Sequence, residues 1–400
     1  MAASERATCD DEPLPASDLL AAAGASRADQ APLAGGRLTL SWRPYHFVLP
    51  RALVTNHGAL AERHGCLLRL EAPDGRLGWG EAPLLEPQQA PMPLTEASRF
   101  PPPAAAQRCQ AAIAALGERR SLRELEAALP ELPLPLGFAL GAALAELEGL
   151  VGGPAGGWRS APSAAWLLPA GEAALPALEE ALAAAALLAS APPAPEGPLQ
   201  TRSRRAGSGG STPAPPLPFT VKWKVAATGD GLERQLLEEL LRRLPAGARL
   251  RLDANGGWDR STAAAWADRL RGEPRLEWLE QPLPPGDPEG LQALAELVPV
   301  ALDESLRADP CLAATWPGWL VRRPALEGDP RPLLRALQAG RPRWMLSTAL
   351  ETGIGRRWLD HLAALQAEGP TPAAAGLAPG WTPSGALFSI DPAEVWEAAV

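Results

Sequence analysis

Three acidic residues end successive apolar segments at regular intervals. Asp253 lies in LRLDAN, Glu280 in EWLEQP and Asp303 in ALDES, 27 and 23 residues apart. Each interval is about one strand–helix unit, and the carboxyl ends of neighbouring parallel barrel strands lie side by side. Three anions there would repel one another unless a cation held them, and carboxylate oxygens suit Mg²⁺. Any one of the acids alone fits a helix cap or turn; three in register favour a metal site.

Two lysines precede these acids in the segment FTVKWKV. Lys222 and Lys224 are two residues apart, so both side chains lie on one face of a strand. Lysines on the inner face of an apolar barrel are costly unless they meet opposite charge, which the acids supply. Mutual repulsion is expected to lower the pKa of one lysine enough for a general base. A solvated edge strand is the alternative, although Val221 and Trp223 alternate as strictly as the lysines.

The elements that would position these residues alternate strand with helix beyond about residue 160. Seven or eight such units predict an α/β fold with a parallel barrel. A doubly wound open sheet is the alternative, and no glycine motif after the first strand supports it. The predicted strands are 164–169, 219–225, 249–255, 276–282, 299–305, 318–324, 343–348 and a short one near 374–378.

The chain divides into a loose leader at 1–33, a smaller unit at 34–155 and the barrel at 160–390. In the smaller unit strands come first and helices follow, which is typical of an α+β domain. Residues 191–218 are rich in Pro, Ser and Gly, and we interpret them as a disordered, solvated insertion in the barrel.

The sequence K-x-K, D-x-N, L-E-Q-P and D-E-S, one barrel unit apart, resembles the enolase superfamily. The smaller unit, with GWGEAPL at 78–84, resembles its capping domain, and the resemblance covers about 36–390. It implies a modified TIM barrel of the (β/α)7β type. Sites of this superfamily use a Lys or His base with Mg²⁺ stabilising an enediolate. The K-x-K pair and STALETGIG resemble the o-succinylbenzoate synthase group of the muconate-lactonising branch.

This resemblance implies roles for individual residues and a small-molecule carboxylate as the substrate. Lys224 would remove the proton alpha to the carboxylate, and Lys222 would assist electrostatically. Asn255, Ser347 and Thr348 would bind substrate, although strand-end hydroxyls can simply bond local backbone. The metal would be Mg²⁺, with Mn²⁺ as a substitute, held by three ligands: Asp253, Glu280 and Asp303.

The implied reaction is Mg²⁺-dependent syn dehydration of 2-succinyl-6-hydroxy-2,4-cyclohexadiene-1-carboxylate to 2-succinylbenzoate, in menaquinone or phylloquinone biosynthesis. One departure bears on this activity: the family usually has lysine where this chain has Arg323, in RRPALEG. Arginine stays protonated, so it is a poor base. A racemase needs two bases, whereas a dehydration needs one, with Arg323 as the opposing catalytic cation. Arg323 could instead mark a drifted copy, or Arg322 could fill the pocket.

The alternatives for function are an N-acylamino acid racemase, a dipeptide epimerase and a non-catalytic barrel. The tail GLAPGWTPSGALFSID lacks the Asp-x-Asp typical of the epimerases, and a non-catalytic barrel would be expected to have lost an acidic ligand. The net charge of −9 argues against a nucleic-acid partner. We expect no membrane span and, with four scattered cysteines, a cytoplasmic protein; the oligomeric state stays open.

Overall fold

The computed structural model describes residues 36–55, 58–84, 104–152, 157–190 and 217–399. The predicted leader at 1–33 and the insertion at 191–218, except its last two residues, lie outside the described residues. Among the helices of the described ranges, none combines the length and the apolar character needed to cross a membrane.

An antiparallel sheet of four strands forms the N-terminal unit, in the order β3-β2-β1-β4. Its strands are β1 (Arg37–Thr55), β2 (Gly58–Glu71), β3 (Leu77–Leu84) and β4 (Arg119–Ser121). Strand β1 extends far beyond the predicted RLTLSW segment, because Tyr45, Phe47 and Leu49 alternate as buried residues with exposed neighbours.

Helices cover one face of this sheet, as the strands-then-helices pattern predicted. They are α1 (Ala104–Leu116), α2 (Leu122–Ala128) and α3 (Leu134–Leu147). Helix α3 is buried on nearly all sides and packs closely on β3. A Cβ atom at Gly80 would lie 1.9 Å from the carbonyl oxygen of Ala139, so the glycine of GWGEAPL permits this approach.

The second unit is a parallel barrel, which confirms the predicted fold class. Seven strands pair in sequential order: β5 (Trp166–Leu168), β6 (Thr220–Lys224), β7 (Arg249–Asp253), β8 (Leu276–Glu280), β9 (Val300–Leu302), β10 (Trp319–Arg322) and β11 (Trp344–Leu346). Ala375 pairs with Ala164 beside β5, and Gly376 pairs with Ser347 beside β11. This short eighth segment joins the two edges of the sheet, so the alternative of an open doubly wound sheet is wrong.

Helices surround the barrel strands, and the outward side chains of the strands pack against them in one core. The helices are α4 (Ala174–Ser190), α5 (Asp230–Arg243), α6 (Arg260–Leu270), α7 (Pro288–Ala295), α8 (Glu304–Ala308), α9 (Leu312–Thr315), α10 (Pro330–Gln338), α11 (Gly353–Ala367) and α12 (Pro392–Ala398). On β6, Val221 and Trp223 belong to this core. Because strand residues alternate in direction, Lys222 and Lys224 point into the barrel.

The last helix returns to the N-terminal sheet. Trp396 on α12 packs edge-to-face on Trp79 of β3, with ring centroids 5.7 Å apart. Arg43 of β1 donates a 2.7 Å hydrogen bond to the carbonyl of Trp396. Residues after 390, which the sequence analysis placed in neither unit, therefore help to join the two.

Candidate active site

Strand pairing brings the predicted charged residues to one end of the barrel. Lys224 pairs with Asp253, and Asp253 pairs with Glu280 on the next strand. Asp303 directly follows β9, which pairs with β8. All three carboxylates are at most 1% exposed. The spacing of the acids in the sequence thus corresponds to adjacent strand ends, as predicted.

Lys222 bridges two of the acids. Its Nζ lies 2.5 Å from Glu280 Oε1 and 2.8 Å from Asp253 Oδ2. Lys222 is only 6% exposed, so these contacts form away from bulk water. The lysine that the sequence assigned an electrostatic role therefore contacts two acids at once.

Lys224 has a different set of partners. Its Nζ donates to Asp253 Oδ2 at 2.6 Å and to Asn255 Oδ1 at 2.9 Å. The Asn255 amide nitrogen Nδ2 in turn donates to Glu304 Oε1 at 3.2 Å. Asn255 therefore lies behind Lys224, which is the residue that lines the cleft.

Arg323 enters the barrel opposite the lysines, since β10 and β6 are four positions apart among eight. Its guanidinium donates to Asp303 through Nε (3.1 Å) and Nη2 (2.5 Å), and Nη1 donates to the carbonyl of Thr348 at 2.9 Å. Arg322 points the other way, where it pairs with Glu327 and lies over Trp344. Of the two arginines, Arg323 is the one that lines the cleft.

Burial and neighbouring charges set the protonation of this cluster. Burial would raise the pKa of Asp253, but Lys222 and Lys224 outweigh it and hold that pKa well below its usual range. Burial and the charge of Asp253 raise the pKa of Glu280 to about 7. Burial would lower the pKa of Lys222, yet Asp253 and Glu280 raise it overall. For Lys222 this is the opposite of the lowering that lysine–lysine repulsion predicts.

Arg323 is held in its charged form. Burial would lower the pKa of Arg323, but the charge of Asp303 and its hydrogen bonds raise it further above the ordinary arginine value. The same contacts keep the pKa of Asp303 below its usual range despite burial. Arg323 can therefore supply positive charge, and it is unsuited to accept a proton.

The chain leaves these strands through unusual backbone. Asn255 and Gln281 have positive φ angles of 47° and 38°, a region that non-glycine residues rarely adopt and that clusters at functional sites. The Gln281 amide locks two strand ends together: its Oε1 accepts from the backbone N–H groups of Asp303 and Ser305. The LEQP motif by itself indicates no role for Gln281.

A cleft opens above these residues. Ser347 and Thr348 line it from the end of β11, as predicted. Thr348 Oγ1 donates to Glu351 Oε2 at 2.6 Å, which fixes the hydroxyl. Leu53 and Leu60, near the tip of the β1–β2 hairpin, add apolar wall from the N-terminal unit. The cleft thus combines cations, hydroxyls and apolar surface.

The two units meet at a buried glutamate that sequence reasoning missed. Glu81 of GWGEAPL accepts hydrogen bonds from Tyr45 Oη (2.6 Å), Thr352 Oγ1 (2.5 Å) and the Gly355 backbone N–H (2.9 Å). Thr352 caps α11, so a carboxylate from the N-terminal sheet lies at the start of a barrel helix. Burial raises the pKa of Glu81 despite these donors.

The acids suit a divalent cation of the magnesium type. All three candidate ligands offer carboxylate oxygens, and these are the ligands that Mg²⁺ prefers. Glu280 Oε2 is buried and has no hydrogen-bond partner among the described residues, so one ligand atom has unused capacity. The donor set therefore fits the metal that the sequence analysis expected.

Part of the chain matches a known protein family. Residues 219–309 match the family described as enolase C-terminal domain-like. A curated o-succinylbenzoate synthase from Thermosynechococcus vestitus is 44% identical over 154 residues. That match covers 36% of this chain and spans about half, 48%, of the relative's length.

A solved structure extends the likeness to nearly the whole chain. The o-succinylbenzoate synthase of Thermosynechococcus elongatus BP-1, complexed with Mg in its active site, has a TM-score of 0.65 and 29% identity. The alignment covers 90% of this chain and 99% of that one. The chain resembles the o-succinylbenzoate synthases of the enolase superfamily. The L-Ala-D/L-Glu epimerase of Bacillus subtilis has a similar fold at 18% identity, with a TM-score of 0.61 over 87% of this chain and 91% of that one.

Proposed function

We propose that this protein is an o-succinylbenzoate synthase. It would convert 2-succinyl-6-hydroxy-2,4-cyclohexadiene-1-carboxylate to 2-succinylbenzoate and one water molecule, a step toward menaquinone or phylloquinone. The bond from the alpha carbon to hydrogen breaks, its electron pair enters the ring, and the hydroxyl on the neighbouring carbon leaves. The comparisons support this choice among the activities of the superfamily.

Asp253, Glu280 and Asp303 would hold Mg²⁺, which would supply positive charge against the negative charge that develops when the alpha proton is removed. In the structure, these three acids contact the side chains of Lys222 and Arg323, and each acid lies at the end of a neighbouring strand. Substitution of Mg²⁺ by Mn²⁺ stays a prediction.

Lys224 would take the alpha proton and return it to the leaving hydroxyl. Its ammonium is held by Asp253 and Asn255, and its side chain lines the cleft. We assign Asn255 to positioning Lys224, in place of the substrate contact expected from the sequence. Lys222, which bridges Asp253 and Glu280, would hold the charge balance of the acid cluster.

The observation that carries the choice of dehydration is Arg323 on the wall opposite Lys224. Its contacts to Asp303 keep it charged, so one wall of the cleft offers a proton acceptor and the other offers only a cation. A one-base dehydration is compatible with this arrangement, whereas racemisation needs a proton acceptor on both walls. Arg323 would stabilise the developing negative charge.

Ser347 and Thr348 would hold the succinyl side of the substrate, and the leucines of the hairpin would cover its apolar ring. Both hydroxyl residues line the same cleft as Lys224 and Arg323. A cytoplasmic location, expected from the cysteine pattern, stays a prediction.

An absorbance assay of the purified full-length chain with the cyclohexadiene substrate tests the proposal. We expect turnover with Mg²⁺ and its loss in excess chelator. In a parallel reaction in D₂O, N-succinylamino acids should exchange their alpha proton efficiently in at most one enantiomer, the one whose proton faces Lys224, since Arg323 is no base. Efficient exchange of both enantiomers would favour the racemase, and no turnover of the diene with Mg²⁺ present would refute the synthase.

A further inference from the structure

A second group of potential metal ligands lies on the N-terminal sheet, away from the barrel cleft. His46 of β1 pairs directly with His64 of β2, and Glu62 lies two residues from His64 on the same strand. In a strand, residues two apart share a face, so all three side chains stand on one face of the sheet. Their side chains are 45%, 42% and 36% exposed.

Each of the three side chains brings one possible ligand atom close to the other two. His46 Nε2 lies 3.1 Å from Glu62 Oε2, and His64 Nε2 lies 3.6 Å from the same oxygen. The two imidazole rings stack with centroids 4.4 Å apart. One ligand atom from each residue lies within 4.8 Å of the others. Two imidazoles thus turn the same nitrogen toward a single carboxylate oxygen.

We propose that His46, Glu62 and His64 form a surface binding site for Zn²⁺. Zinc bonds of about 2.0–2.1 Å in tetrahedral geometry place the ligand atoms roughly 3.3 Å apart. The 3.1 Å and 3.6 Å separations lie on either side of that value, so zinc can enter after small side-chain rotations. Two histidines and one glutamate form a known zinc ligand set, with water at the fourth position.

The chemistry of the donors separates this site from the acid cluster of the barrel. Imidazole nitrogens favour Zn²⁺ over Mg²⁺, whereas the barrel acids offer oxygen alone. Histidine binds a metal only when neutral.

The position of the site gives zinc a structural consequence. The regular pairing of β1 and β2 continues through Val48 and Glu62, shifts register, and resumes at Leu53 and Leu60. The zinc ligands lie at the last regular pairs before the shift, and the two leucines beyond it line the barrel cleft. Bound zinc would therefore cross-link the base of the hairpin that contributes to the cleft wall.

Calorimetric titration of the full-length chain with ZnCl₂, in buffer with saturating MgCl₂, tests this proposal. We expect one zinc per chain with a dissociation constant below millimolar, and more than about tenfold weaker binding for His46→Ala and His64→Ala. Glu71→Gln, at the other end of β2, is the matched control and should bind zinc as the unmodified chain does. Asp253→Asn should also retain zinc, because it changes only the barrel acids.

Substitution with Co²⁺ gives a second readout, since imidazole-bound Co²⁺ of low coordination number absorbs visible light. The spectrum should appear in the unmodified chain and vanish in His64→Ala, with circular dichroism checking that the variant is folded. Zinc binding that persists in both histidine variants would overturn the assignment, as would its loss in Asp253→Asn alone. Binding weaker than millimolar in the unmodified chain would also overturn it.

Discussion

Replacing Arg323 by methionine removes a buried cation while keeping a side chain of similar length. The guanidinium makes three contacts of 2.5–3.2 Å with Asp303 and one of 2.9 Å with the Thr348 carbonyl. Asp303 is 1% exposed, so its charge would be left in a site that water hardly reaches. Arg307 lies 3.5 Å from Asp303, but it is 43% exposed and compensates little.

Removing one partner of a buried ion pair typically costs about 3–5 kcal/mol of unfolding free energy. Because Lys222 remains nearby, we expect Arg323→Met to lose about 3 kcal/mol of unfolding free energy without metal. Arg323→Lys keeps the charge and loses the planar two-point contact, so about 1–2 kcal/mol is expected. Either loss is large beside a total stability of about 5–15 kcal/mol.

Urea unfolding followed by circular dichroism, in chelator and in saturating MgCl₂, measures the effect. Mg²⁺ bound at the acids would neutralise Asp303 in place of Arg323. The difference in unfolding free energy between Arg323→Met and the unmodified chain should therefore be smaller in saturating MgCl₂ than in chelator. Arg322→Met is the matched control: it breaks the pair with Glu327 outside the cleft, and its cost should not depend on Mg²⁺. A difference in unfolding free energy below about 1 kcal/mol in chelator would refute the proposed role of Arg323 in neutralising Asp303, as would a difference that Mg²⁺ leaves unchanged.

Further predictions concern the metal, the base and pH. At modest Mg²⁺, turnover should be abolished in each amide replacement of the acids, Asp253→Asn, Glu280→Gln and Asp303→Asn, while the chain stays folded. Full activity in all three variants would contradict the metal assignment. Lys224→Ala should stop both dehydration and alpha-proton exchange, whereas Lys222→Ala should slow both; near-normal turnover of Lys224→Ala would place the base elsewhere. His361, 5% exposed, accepts a hydrogen bond from the Arg159 backbone N–H, and burial lowers its pKa from 6.5 to about 4. As the pH falls, His361 is protonated in the unfolded chain before it is protonated in the folded one, so the unfolding free energy present above pH 6.5 decreases toward pH 4. In urea unfolding at pH 7 and pH 4.5, His361→Asn should lose about 2–3 kcal/mol less of this free energy than the unmodified chain. An equal loss in the two proteins would contradict the prediction.

The barrel and its charged residues could be predicted because strand parity is local. Trp223 between Lys222 and Lys224 faces the helices, so the alternation of apolar and charged residues alone assigns the lysines to the interior. The acids follow from the same rule, since each ends its apolar strand. The resemblance alone assigned Arg323 to the site, and in the structure Arg323 rather than Arg322 lines the cleft.

Other residues could not be placed because their roles depend on contacts distant in sequence. Asn255 was expected to bind substrate, and in the structure its side-chain amide oxygen Oδ1 accepts a hydrogen bond from Lys224, 31 residues away in sequence. Gln281 owes its role to amide groups of the next strand, and Glu81 to a helix start 271 residues further along. A polar residue within a motif indicates that its side chain makes a hydrogen bond, but the spacing of the motif does not identify the hydrogen-bond partner.

The contacts of the N-terminal unit explain how one cleft can be built from two units. Arg63 of β2 donates hydrogen bonds to the carbonyl of Leu84 at 3.2 Å and to that of Ala349 at 2.6 Å. Ala349 directly follows Thr348, and Glu81 is bonded to the start of α11 just beyond. Charged and polar groups buried this way are costly to separate, so the hairpin that carries Leu53 and Leu60 is fixed relative to the hydroxyls at the end of β11. The apolar wall and the polar wall of the cleft are therefore positioned by the same buried network, and a change at Glu81 or Arg63 would alter both.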